Sequence, residues 1–210
     1  EEIEAGRRYF SARELYLFSL ALSSSKMKKR EGVPPIMTEG DVTPLKNELG
    51  FSLTGAQERS INEISSDMVS ATVPMSRLLS GDVGSGKTAV AAASIYIALK
   101  NGYQAALMAP TEILARQHYA DMAPLFERLG IECRLLVGAT PAAEKRRIKA
   151  ALSAQGEGRL DVVIGTQALL SEGVTFAAPG LVVTDEQHRF GVNQRATLSE
   201  KNANAHLLVM

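Results

Sequence analysis

Eight consecutive residues constrain this chain more than any others. Gly81-Asp82-Val83-Gly84-Ser85-Gly86-Lys87-Thr88 matches the pattern G-x-x-x-x-G-K-[ST] at every fixed position. The preceding Arg77-Leu78-Leu79-Ser80 reads as a short buried strand, and residues 89–99 are an almost unbroken run of helix formers. Strand, glycine loop and helix together form the context that confirms a phosphate-binding loop. The glycines let the backbone curl so that its N–H groups point at phosphate oxygens, and the new helix adds its positive end. Lys87 is placed to reach the β- and γ-phosphates, and the Thr88 hydroxyl to ligate Mg²⁺. A glycine turn that merely starts a helix would not need Lys and Thr at these offsets.

The rest of the chain fits an α/β domain around that loop. From Thr54, a predicted N-cap, helices are expected at 55–69, 87–100, 112–129, 141–154 and 193–200. Strands are expected at 77–80, 104–109, 132–137, 161–165, 181–184 and 206–210. Strands alternating with helices predict a mainly parallel sheet covered on both faces, with ligands at the C-terminal ends of its strands. Residues 1–50 form a separate lead-in. One helix is expected to about residue 30, apolar on more than one face and closed by Lys26, Lys28, Lys29 and Arg30. Gly32-Val33-Pro34-Pro35 ends it, and a linker follows with one short helix near 45–49.

Composition narrows the class. The chain is 45% hydrophobic and 22% charged, and its formal net charge is zero, which argues against a general polyanion binder but not against a local basic patch. No apolar run is long enough to span a bilayer, and the acidic start lacks the pattern of a secretory signal. Cys133 is the only cysteine, so no disulfide forms within the chain, and a reducing cytoplasm fits. It falls in a predicted strand and reads as a small core residue.

A second acidic element completes a nucleotide site. Leu181-Val182-Val183-Thr184 is an apolar strand ending in Asp185 and Glu186. On its own such a pair is as readily a helix cap. Beside a phosphate loop, Asp185 is placed to hold Mg²⁺ and Glu186 to orient and polarise the attacking water.

Asp185-Glu186-Gln187-His188 resembles the D-E-x-H motif of superfamily 2 helicases. The longer stretch 185–195, the phosphate loop with its preceding strand, and Met108-Ala109-Pro110-Thr111-Glu112-Ile113-Leu114-Ala115 resemble the RecG branched-DNA helicases over nearly all of 51–210. The alternative is a translocase lobe like that of the transcription-repair coupling factors, which usually carry Glu where this chain has Gln187.

The resemblance implies a RecA-like first motor lobe over 51–210 that binds ATP and Mg²⁺. Phe51 and Gln57 resemble the Q motif, implying a ring to stack on adenine and an amide to read its edge. Pro110 and Thr111, Gly138 and Thr166 resemble the DNA-contacting motifs Ia, Ib and Ic; Thr140 reads as ordinary turn chemistry. Gln187 and His188 would link the ATP site to the DNA edge, and Arg189 and Phe190 would sense DNA. A bacterial cytoplasmic enzyme is implied, monomeric when complete and acting in fork reversal and branch migration. The family pattern also implies a third motif and a second lobe beyond Met210. The chain alone is therefore expected to bind ATP weakly, hydrolyse it negligibly and self-associate. A small-molecule kinase is disfavoured by the absence of an Arg-rich lid. A nucleotide-gated binding platform without catalysis remains the other reading.

Overall fold

The computed structural model describes residues 32–82, 84–185 and 204–210. The expected helices over 1–30 and 193–200 lie outside those residues, as do Val83, Glu186, Gln187, His188, Arg189 and Phe190.

Six strands form one sheet in which every pairing is parallel: β1 (Ser76–Leu78), β2 (Gln104–Met108), β3 (Cys133–Leu136), β4 (Val162–Gly165), β5 (Pro179–Thr184) and β6 (His206–Val209). Their order across the sheet is β1-β6-β5-β2-β4-β3. Five α-helices accompany them among the described residues: α1 (Thr43–Glu48), α2 (Gly55–Val69), α3 (Lys87–Lys100), α4 (Glu112–Arg128) and α5 (Ala142–Ser153). A 3₁₀ turn at Gln167–Leu170 follows β4.

Alternation along the strands sorts the core into two layers. Ala105 and Leu107, Val162 and Ile164, Leu181 and Val183, and Leu208 face one layer, which α2, α3 and α4 close with Ile61, Ile95, Met122 and Phe126. Ala106 and Met108, Val163 and Val182 face the other, closed by Ile148 and Leu152 of α5 and by Leu169 and Val174. Helix α3 is buried from Ala89 to Ala98. Its alanines let it lie close against β2 and β5, which carries the phosphate loop over the sheet. The buried Gln104 amide ties the second layer together: its Nε2 donates to the Leu152 and Leu160 carbonyls at 3.0 and 2.7 Å, and its Oε1 accepts from the Ala178 N–H at 2.9 Å.

The first strand departs from expectation. It ends at Leu78 rather than Ser80, and it is not buried: Leu78 is 66% exposed. The reason is position. β1 lies at the sheet edge with β6 as its one partner among the described strands, and Leu79 rather than Leu78 packs on the core. Arg77 fastens the strand to α2 through Glu63, at 2.7 Å, and Asp67. Among the described residues no helix is long and apolar enough to cross a membrane.

Candidate functional site

Beyond β1 the chain pairs once more, Leu79 N–H to the Val209 carbonyl at 2.7 Å, and then curls. Gly84 and Gly86 both take positive φ, 80° and 77°, which side chains rarely adopt. Helix α3 begins at Lys87 with no side-chain cap and no acid in its first turn. By contrast, Thr54 caps α2 and Thr111 caps α4. The leading N–H groups of α3 thus meet no anionic or hydroxyl cap, which suits an incoming phosphate. Lys87 folds back over the loop: its Nζ donates to the Gly81 carbonyl at 2.6 Å and the Asp82 carbonyl at 2.9 Å. An ammonium has three N–H donors, so one remains for an anion in the cradle.

Gln57 is not a solvated residue on the first turn of its helix. Its Oε1 accepts from the Thr54 N–H at 2.8 Å, its own N–H donates to Thr54 Oγ1 at 3.3 Å, and its Nε2 donates to the Ser85 carbonyl at 3.0 Å. The first two bonds are a capping box. The third fastens α2 to the phosphate loop. One amide hydrogen and one lone pair are left for a base edge. Phe51 is 57% exposed and borders an open hollow of about 470 Å³ with Lys46, Leu49, Leu53 and Glu58. Its ring face is thereby accessible for stacking.

β5 delivers Asp185 to the same end of the sheet, two strands from β1. The residue is held twice. Its N–H donates to the Met108 carbonyl at 2.9 Å, and its Oδ2 lies 2.6 Å from His118 Nε2 on α4. Both side chains are nearly buried, 14% and 10% exposed. No Lys or Arg pairs with Asp185 among the described residues, so its charge is not neutralised by a cation there. Sequence reading missed His118 altogether; it lies 67 positions from its partner, and no local pattern marks it.

The remaining candidates line up along the ends of the other strands. Thr111 Oγ1 accepts from the Leu114 N–H at 3.3 Å, capping α4 and leaving its own proton free to donate, next to the half-buried Pro110. Thr140 Oγ1 accepts from the Val137 N–H at 3.0 Å, the turn chemistry expected of it. Gly138 and Thr166 border a hollow of about 410 Å³ shared with Lys145, Lys149, Gln167 and Ser171. Two lysines that sequence reading did not single out therefore stand there, one helical turn apart on α5. Lys145 donates to the Gly138 carbonyl at 2.7 Å and Lys149 to the Glu172 carbonyl at 2.6 Å. Backbone bonds stitch the strand ends together: Ala109 N–H to Gly165 O at 2.8 Å, and Thr166 N–H to Leu136 O at 3.3 Å. Cys133 takes no part. Burial pushes its thiol up to about 12, leaving it a core residue rather than a nucleophile.

Comparison with known proteins agrees with this geometry. Residues 54–207 match the DEAD/DEAH box helicase family. The ATP-dependent DNA helicase RecG of Streptococcus pneumoniae is 45% identical over 212 residues, covering the whole chain and 31% of that protein. The RecG of Acidithiobacillus ferridurans is 56% identical over 162 residues, covering 77% of this chain and 23% of its own length. The chain thus spans about a third or less of these relatives. Among solved structures, RecG bound to a three-way DNA junction superposes with a TM-score of 0.78 at 42% identity, over 94% of this chain and 26% of that one. The sheet is that of a RecA-like helicase lobe, its sequence is RecG-like along its length, and the chain belongs to the DEAD/DEAH box helicase family.

Proposed function

We propose that residues 51–210 are the first motor lobe of a RecG-type DNA helicase, which binds ATP and turns its hydrolysis into movement along branched DNA. The observation that carries this reading is a pairing at one end of one sheet. The glycine loop with Lys87 lies there with Asp185, and the row Pro110, Thr111, Gly138 and Thr166 continues along the same edge.

Each residue has a definable task. Backbone N–H groups of 84–88 and the Lys87 ammonium receive the phosphates. Gln57 holds the loop to α2 and meets the base edge, with Phe51 stacked beneath it. The Thr88 hydroxyl and the Asp185 carboxylate are hard oxygen donors, the kind Mg²⁺ takes, and they would hold it. The ion, when bound, would neutralise charge on the β- and γ-phosphates. Glu186 would orient the attacking water. On the DNA side, the Thr111 and Thr166 hydroxyls, the Gly138 backbone and the two nearby lysines bind phosphates of one strand. Gln187, His188, Arg189 and Phe190 couple the two sides. DNA remodelling of this kind places the protein in the bacterial cytoplasm.

ATP hydrolysis by the complete protein, measured with and without a synthetic three-way junction, tests the reading. Junction-stimulated hydrolysis that is lost in Lys87→Ala supports it. Hydrolysis indifferent to DNA would remove the helicase assignment, and undiminished turnover in Lys87→Ala would remove the nucleotide site.

A further inference from the structure

The phosphate loop and the acid have been given roles, but His118 has not. It sits two turns into α4, seven residues beyond the Thr111 cap, and its ring is 10% exposed. Its Nε2 meets Asp185 Oδ2 at 2.6 Å. An ionised carboxylate only accepts, so the imidazole proton is on Nε2. That leaves Nδ1 as a buried lone pair, and it has no hydrogen-bond partner among the described residues. Burying an unpaired ring nitrogen costs stability, and an apolar residue would fill the space under α4 without that cost. The imidazole is therefore in the wall for what its other edge does.

We propose that His118 is a positioning residue for the metal-binding carboxylate: its Nε2–H pins Oδ2 and turns Oδ1 of Asp185 toward the nucleotide. The arrangement mirrors the familiar outer-sphere pair in which a carboxylate orients a ligating histidine, with the partners exchanged. A neutral imidazole suits the task. It fixes the rotamer without cancelling the charge that attracts the cation, as Lys or Arg would. The backbone of Asp185 is meanwhile anchored on Met108, two residues before Pro110. Both restraints on the acid thus come from β2–α4, the unit that presents Pro110 and Thr111.

This inference rests on the proposed role of Asp185 as a metal ligand, and the experiment separates the two. Mn²⁺ binding to the complete protein, saturated with a non-hydrolysable ATP analogue, is read from the free-ion EPR signal. His118→Leu should weaken Mn²⁺ binding at least about tenfold, the usual range for losing an outer-sphere partner. His118→Gln, whose amide reaches as far as Nε2, should recover most of it. Binding of the analogue in excess EDTA should be unchanged in both. Unchanged Mn²⁺ affinity in a folded His118→Leu overturns the proposal, and so does a His118→Gln as impaired as the Leu variant. If His118→Leu does not fold, His118→Asn takes its place. The Asn amide is too short to reach Oδ2, so equal affinities for Asn and Gln overturn the idea. Asp185→Ala distinguishes the premise. If it leaves Mn²⁺ binding intact, the metal role of Asp185 falls and the His118 role with it. If it abolishes binding while His118→Leu does not, only the His118 role falls.

Discussion

The two walls of the nucleotide cleft are built in opposite ways. On one side, residues 81–88 are mostly exposed, and their shape comes from the backbone: positive φ at Gly84 and Gly86, an uncapped helix start, and a lysine resting on its own loop's carbonyls. On the other side, Asp185 is nearly buried and is fixed by groups from elsewhere, the Met108 carbonyl and the His118 ring. A loop of the first kind can lose a side chain and keep its fold. A site of the second kind cannot, because each partner satisfies the other. Binding and stability should therefore separate in the loop and travel together at the acid.

The largest effect tests the loop. Lys87→Ala should reduce ATP turnover by about 10²–10³-fold, the size seen when one preorganised donor to a developing charge is removed. Its melting curve should move little, since surface changes of this sort usually stay within about 0.5 kcal/mol. A large loss of stability would break the comparison.

Asp185→Ala should do the reverse in the absence of nucleotide. It strands a buried imidazole with neither nitrogen paired, at a cost of about 1–3 kcal/mol. Chemical denaturation without Mg²⁺ or ATP reads this directly. A variant as stable as the parent would show that the His118 bond contributes nothing to the fold.

Gly86→Ala places strain in the loop itself. A Cβ there would lie 2.2 Å from Gln57 Nε2, on a backbone at φ 77°. The left-handed conformation costs a residue with a Cβ about 1–2 kcal/mol. If the loop flattens to escape it, nucleotide affinity should fall roughly five- to thirtyfold by the same figure. Titration of a fluorescent ATP analogue measures it. Unchanged affinity would mean that the loop's curl is not what binds.

The same contrast explains what could be read from the chain. The phosphate loop was legible because everything that shapes it lies within eight residues. The sheet and its helices were legible because alternation and helical runs are also local; α2, from Gly55 to Val69, falls on its expected bounds. The exposure of Leu78 was not, since an apolar strand says nothing of whether it will be an edge. His118 was not, because its meaning depends on a register between α4 and β5. Lys145 and Lys149 matter only once β4 brings Thr166 beside α5.

Gln57 is where the two kinds of construction meet, and it gives the smallest effect. Its amide belongs to a helix cap, a local device, yet Nε2 reaches 28 residues along the chain to the Ser85 carbonyl. Gln57→Ala should remove half of the capping box and the tie to the loop. All of these groups are near solvent, so water replaces much of what is lost, and stability should fall by only about 0.5–1 kcal/mol. The nucleotide should register more than the fold does. Loss of the tie frees the Ser85 peptide, and loss of the amide removes the group that faces the base. Comparing ATP with inorganic triphosphate separates these contributions. A loop-holding role weakens both ligands alike, whereas a base-reading role weakens ATP alone. Equal binding of both ligands to Gln57→Ala and to the parent would leave the residue as a helix cap and nothing more.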